Sequence, residues 1–167
     1  LKNVYIKIDG GLHEDSLNII NSKGDINKIS IKDSYQDAID LDFSTLKIKN
    51  ILVQDAGNDC IDLSSGKYKI LFALLNNCGD KAISVGEKST LDLKSITVNN
   101  AKTGLASKDS SLSKIDEAII ENVEICLSAY NKKQEFFGGQ IKVKNIECRN
   151  FNQKKNIDDV SKIIMNN

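Results

Sequence analysis

The stretches DAIDLD (Asp37–Asp42) and DCIDLS (Asp59–Ser64) are near copies of one another, set 22 residues apart. Each alternates apolar and polar residues with the period of a strand whose two faces meet different surroundings. Working outward from this pair, the same short alternation returns as SLNI, AISVG, GLASK and CLSAY. Their leading apolar residues are Leu17, Ile39, Ile61, Ile83, Leu105 and Leu127, and each lies 22 residues after the one before. A fixed period of this kind marks a solenoid, in which a repeat buries its apolar face only by stacking on its neighbours.

A second alternation follows each of the first, from Ile26-Ile29-Ile31 and Ile48-Ile51-Val53 through to Val143-Ile146-Cys148. The phase slips by one residue between Lys88 and Leu91, and six residues are added near Phe136. Between the strands stand Gly, Asn, Asp, Ser and Lys, which form turns at little cost. No stretch carries the 3.6-residue period of a crossover helix. A coil of this length, fully extended, has a perimeter of about 70 Å, enough to enclose one layer of side chains.

The spacing therefore predicts an all-β fold: a right-handed, single-stranded parallel β-helix of about six to seven coils of about 22 residues. Residues 1–167 form a single domain on this reading, with coils over about 12–152 and a capping segment over 153–167. In the cap, Asp158 or Asp159 is expected to start a short helix presenting Val160, Ile163 and Ile164 on one side. At the other end Val4, Ile6 and Ile8 read as part of an incomplete coil.

Lys+Arg and Asp+Glu both number 23, so no global basic field gathers nucleic acid. No apolar run approaches the roughly 20 residues that cross a bilayer, which argues against membrane insertion. The opening LKNVYIKIDGG begins at Leu1 inside a strand pattern. A piece of a longer chain is expected, with that chain's other domains as neighbours.

Stacked coils turn the sequence into columns. One reads Asp33, Asp55, Asn77, Asn100, Asn122, Asn150, always just after the second alternation. Amides stacked about 4.8 Å apart bond to each other and to the turn backbone, so a structural ladder is expected. The four cysteines fall among small or apolar columns without a zinc spacing. Cys60 and Cys126 lie three coils apart, too far for a disulfide, and all four are expected to be buried free thiols. His13, the single histidine, reads as a surface residue beside Glu14 and Asp15.

With Ile39, Leu41, Ile61 and Leu63 inward, Asp40, Asp42 and Asp62 point outward. Asp40 and Asp62 are then lateral neighbours about 5 Å apart, followed in their row by Ser84, Ala106 and Ser128. Asp37, Asp59 and Lys81 flank that row on one side, and Lys108 borders it on the other. Two like charges at this spacing repel by about 3 kcal/mol at an effective dielectric of 20, which demands a compensating partner.

Three readings of the patch follow. It holds calcium for an acidic polysaccharide through Asp40, Asp42 and Asp62; it cleaves glycosides with Asp40 and Asp62 as a carboxylate pair; or it is a solvated charged face. Lys81 and Lys108 are the basic candidates for catalysis. Tyr130, Phe136 and Phe137 are candidates for stacking on sugars, with packing of the inserted loop as the structural alternative.

By its coil length, the strands DAIDLDFS and NDCIDLSSG, and the Asp/Asn corner column, the chain resembles right-handed parallel β-helix repeat proteins of the pectate-lyase-like superfamily. The segments GDKAISVGEKS and AYNKKQEF are also similar to β-helix regions of large bacterial surface proteins, some of which carry CotH-type kinase domains. The resemblance implies a non-catalytic scaffold or glycan-contact module of a larger surface or secreted protein, extracellular, with polysaccharide as partner. The alternative it implies is a carbohydrate-active enzyme, a polysaccharide lyase or glycoside hydrolase. The NTD strand, GHG turn and RIK segment of polygalacturonases are absent. Arg149, the sole arginine, falls on the second sheet, away from the aspartates where a pectate lyase would need it.

Overall fold

The structure, a computed structural model, describes residues 1–165. It contains β1 (Val4–Gly11), β2 (Asp15–Ile20), β3 (Lys23–Ser34), β4 (Asp37–Asp42), β5 (Thr45–Ala56) and β6 (Ile61–Ser64). Five further strands follow: β7 (Lys67–Gly86), β8 (Thr90–Lys108), β9 (Leu112–Tyr130), β10 (Gln140–Ile157) and β11 (Lys162–Met165). Every pairing is parallel and joins a strand to its counterpart one coil away, giving a parallel β-helix of about seven turns. Strands β7 to β10 run around a corner, so each contributes to more than one wall.

The repeat read from sequence is the register. Ile39 pairs with Ile61, Ile61 with Ile83, Ile83 with Leu105, and Leu105 with Leu127. All five are 0–1% exposed and form one ladder through the core. Burial of each such side chain contributes about 1.5–3 kcal/mol, and because hydrogen bonds run between coils, each ladder also fixes its neighbours' register. The one-residue slip appears as Lys67 opposite Thr90, and the six-residue insertion as Leu112 opposite Gln140. Val4, Ile6 and Ile8 belong to β1, which pairs with β3, so the coils begin before residue 12.

The corner column has a local cause. Asp33, Asp55, Asn77, Asn100, Asn122 and Asn150 all adopt left-handed backbone, with φ between 47° and 67°. Asn and Asp tolerate this conformation better than other residues with a side chain, because they bond locally. Asn77 Nδ2 donates to Asp55 Oδ1 at 2.7 Å, Asn100 to Asn77 at 3.0 Å and Asn150 to Asn122 at 3.0 Å. The ladder steps sideways once, where Asn122 donates to Asn99 instead of Asn100. Asn77, Asn100, Asn122 and Asn150 are exposed, so the stack lies on the outside of the bend and serves backbone geometry, not a buried polar core.

Two expectations are corrected. The cysteines are not free: Cys60 bonds to Cys78 and Cys126 to Cys148, with Cα–Cα distances of 5.3 and 6.3 Å. Column membership separated these residues onto different walls, but a corner joins the walls. Cys78 follows the Asn77 corner and meets Cys60, which begins the next wall one coil earlier, whereas Cys148 lies three positions before the equivalent of Cys78, opposite Ile120, and reaches Cys126 from inside its wall. The cap is also not a helix. Asp158 forms a turn, its Oδ1 accepting from Val160 N at 3.2 Å and its Oδ2 from Asn131 N at 2.6 Å. Residues Lys162–Met165 then continue the stack as β11, with Ile163 opposite Ile141 and Met165 opposite Val143. The free edge of β10 offers this segment a row of backbone partners that an isolated helical turn lacks.

Candidate functional site

The candidate site is the outer face of the first wall, made by β2, β4, β6 and the last residues of β7, β8 and β9. Ile39, Leu41, Ile61 and Leu63 are 0% exposed on its inner side, which turns Asp40, Asp42 and Asp62 outward. Asp40 is directly opposite Asp62. The outer row runs Asn18, Asp40, Asp62, Ser84, Ala106, Ser128 and Asn156. Asn18 Nδ2 donates to Asp40 Oδ2 at 3.0 Å.

The flanking aspartates are tied into the corner. Asp37 Oδ1 accepts from Asn58 Nδ2 at 2.7 Å and from Asp59 N at 2.8 Å. One coil on, Asp59 Oδ1 accepts from Lys81 N at 2.8 Å, with Lys81 Nζ 3.6 Å away. Lys81 also pairs with Asp80. Each carboxylate thus closes a backbone N–H of the following coil.

Exposure differs along this wall, with Asp40, Asp42 and Asp62 partly buried and the next rungs fully so. Ser84 and Ala106 are 0% exposed, Asp59 4% and Lys108 9%. The Lys108 stem lies over Gly86, where an added Cβ would stand 2.8 Å from Lys108 Cε. Gly86, in the column of Asp42 and Ser64, therefore makes room for the methylenes of Lys108. Among the described residues Lys108 has no carboxylate within 4.0 Å, so it does not join Asp62 in an ion pair.

Burial governs the electrostatics. It pushes the Asp40 carboxyl up to about 7, reinforced by Asp42, Asp15, Asp62 and Asp37. Burial likewise raises Asp59 to about 6, against the pull of Lys81. Asp37 and Asp42 are raised chiefly by burial too. The repulsion anticipated between Asp40 and Asp62 is thus relieved by a proton on Asp40 as pH falls below about 7. Asp62 Oδ1 and Ser84 Oγ, neighbours in the row, are buried without a partner.

The remaining candidates divide. Tyr130 lies opposite Lys108 on this wall, and burial pushes its hydroxyl up while Lys81 pulls it down. Phe136 and Phe137 sit elsewhere, on the inserted loop over the corner at Asp109 and Ser110. Asp109 Oδ1 anchors that loop by accepting from Lys132 N and Lys133 N at 2.7 and 2.8 Å. Lys133 pairs with Glu87, and Lys88 Nζ stands 5.6 Å from the Phe136 ring centre. Phe136 is partly buried beside Lys88, whereas Phe137 is 81% exposed. His13 is exposed. Among the described residues, no group of three or more His, Cys, Asp or Glu side chains is placed to hold a metal ion.

Two features escaped the sequence reading. The disulfides were signalled only by cysteines placed just before and just after a corner. A groove of about 680 Å³ on another wall is lined by Lys69, Lys94, Lys114, Lys142 and Lys144. Its signal was a lysine column that column reading on the first wall did not cover.

No family model, curated protein or solved structure matches the chain.

Proposed function

We propose that this chain is a non-catalytic β-helix module of a larger surface or secreted protein, a stiff scaffold that contacts glycans. The observation that carries this reading is the short reach of the aspartate row: Asp37 and Asp59 are committed to corner hydrogen bonds, and the row beyond Asp62 ends in Ser84 and Ala106, which are 0% exposed, so among the described residues no open groove runs along the partly buried Asp40 and Asp62. A cleaving carboxylate pair needs open space for a sugar and a water. Two disulfides joining successive coils support an oxidising compartment, as expected of an exported protein. The Asp/Asn corner column and coil length support kinship with pectate-lyase-like β-helix proteins and, more narrowly, with β-helix regions of large bacterial surface proteins.

A carbohydrate-active enzyme is the second reading, favoured by one observation: Asp40, pushed up to about 7, is tuned for general acid work near neutrality. The deciding experiment is incubation with polygalacturonate and with alginate, scored for new reducing ends and unsaturated product. The scaffold reading expects no turnover. Turnover abolished by Asp40→Asn or Asp62→Asn would establish the enzyme.

A further inference from the structure

The charge-neutral chain is polar in its layout. While carboxylates gather on the first wall, a column on the second wall reads Lys47, Lys69, Asp92, Lys114, Lys142, each opposite the next. These positions alternate with the buried Leu46, Ile48, Ile70, Leu91 and Leu93, so their side chains project outward. Two residues further along stand Lys49, Lys94 and Lys144, at positions that the regular pairing skips between Ile48 and Asn50 and their equivalents. The wall bends there and the two lysine columns border a groove of about 680 Å³, with Leu71 and Ile115 among its lining residues.

Five lysines and two aspartates, Asp92 and Asp116, line that groove. All five lysines are exposed. Among the described residues only Lys144 has a carboxylate within 4.0 Å, Asp116 at 2.7 Å. The Asp116 carboxyl is lowered by its hydrogen bond from Lys144. The other four make no ion pair within 4.0 Å among the described residues, although Asp92 stands between Lys69 and Lys114 in the column and Lys94 also lowers the Asp116 carboxyl. Five lysines against two aspartates leave the trough net positive, a field that favours an anionic ligand.

We infer that this groove binds a linear anionic glycan lying along the solenoid axis. The inference rests on the glycan-contact part of the proposed function and supplies its location and ligand class. Each coil supplies a lysine from one column or the other, Lys69, Lys94, Lys114 and Lys142 in turn, so cations recur about every 4.8 Å along the stack, a spacing that suits a chain of sugars each bearing one carboxylate or sulfate. Single-stranded nucleic acid is the lesser fit, because it is held by aromatic platforms between cations, and no aromatic residue lines the groove. Lysine also binds as a point charge without the planar fork that fixes a phosphate or carboxylate bidentately, so affinity here follows charge spacing and falls with salt.

The test uses the whole chain with its disulfides intact and four fluorescent probes: a heparin oligosaccharide, an alginate oligosaccharide, a neutral dextran oligosaccharide and single-stranded DNA. The expected result is binding of heparin or alginate that weakens at least about tenfold between 50 and 200 mM salt, in the manner of counterion release. The double variant K69E/K114E should lose at least about tenfold in affinity, whereas D40N/D62N on the first wall should retain it. Both lysines are exposed, so an unchanged melting temperature identifies a folded variant, and K69Q/K114Q serves if the charge reversal unfolds the chain. Failure of every glycan to bind would sink both this site and the glycan-contact reading. Binding of dextran, or of anionic glycan equally to both double variants, would overturn the groove alone. DNA bound more tightly than either anionic glycan would overturn the assignment of a sugar polymer.

Discussion

Asp40 provides the most exacting test of the first wall. In the fold its carboxyl is pushed up to about 7, against an ordinary value of 3.8 in the unfolded chain. Between those values the folded state holds a proton that the unfolded state does not, so stability falls as pH rises through that window. Below the window both states are protonated and the dependence vanishes. A gap of about three pKa units is worth at most about 4 kcal/mol. Screening by water on the exposed side of Asp40 brings the expected loss to roughly 1–3 kcal/mol. Asp59, raised to about 6, adds a contribution of the same sign.

Asp40→Asn keeps the shape, leaves an amide oxygen to accept from Asn18, and is uncharged at every pH. The expected outcome is a wild-type protein more stable near pH 5 than near pH 8. The variant should be roughly 1–3 kcal/mol more stable than wild type near pH 8, and that gain should shrink to about two-fifths near pH 5, because pH 5 already lies above the unfolded value. Urea unfolding at both pH values, without reductant, reads this directly. Wild type equally stable or more stable near pH 8, or no gain in the variant there, would refute the picture of a charge-strained, partly buried wall.

Thiol titration of the unfolded, non-reduced protein should find no free cysteine, and Cys60→Ala/Cys78→Ala should cost about 3 kcal/mol, as expected for closing a loop of this length. Ile83→Asp places a charge in the middle of the core ladder and should lower stability by several kcal/mol in a chemical melt. Asn100→Ala removes a rung and forces alanine into left-handed backbone; a loss of about 1–2 kcal/mol is expected, and Asn100→Gly should recover part of it. Gly139→Ala should detach the inserted loop, because its Cβ would fall 1.8 Å from Ser107 O; proteolysis within residues 131–139 is the readout.

The period of 22 residues was enough to place Ile39, Ile61, Ile83, Leu105 and Leu127 in one buried ladder and Asp40 beside Asp62. Both follow from strand geometry alone: alternation assigns the face, and a constant period assigns the lateral neighbour. The left-handed corner was equally legible, since Asp and Asn recur where the backbone needs them. What lies across a corner was not legible. Cys60 meets Cys78 because two walls converge, and alternation within each wall says nothing of the angle between them. The cap was misread for a related reason, as a segment with helical spacing becomes a strand when an unpaired edge offers it hydrogen bonds. The tertiary structure alone showed that Lys108 folds down over Gly86 and that Ser84 is fully buried. It also showed that the bend beside Lys69, Lys94 and Lys114 turns two lysine columns into a groove. Columns give adjacency along the stack; side-chain direction at bends and the approach of one wall to another depend on three-dimensional curvature, which a one-dimensional period does not contain.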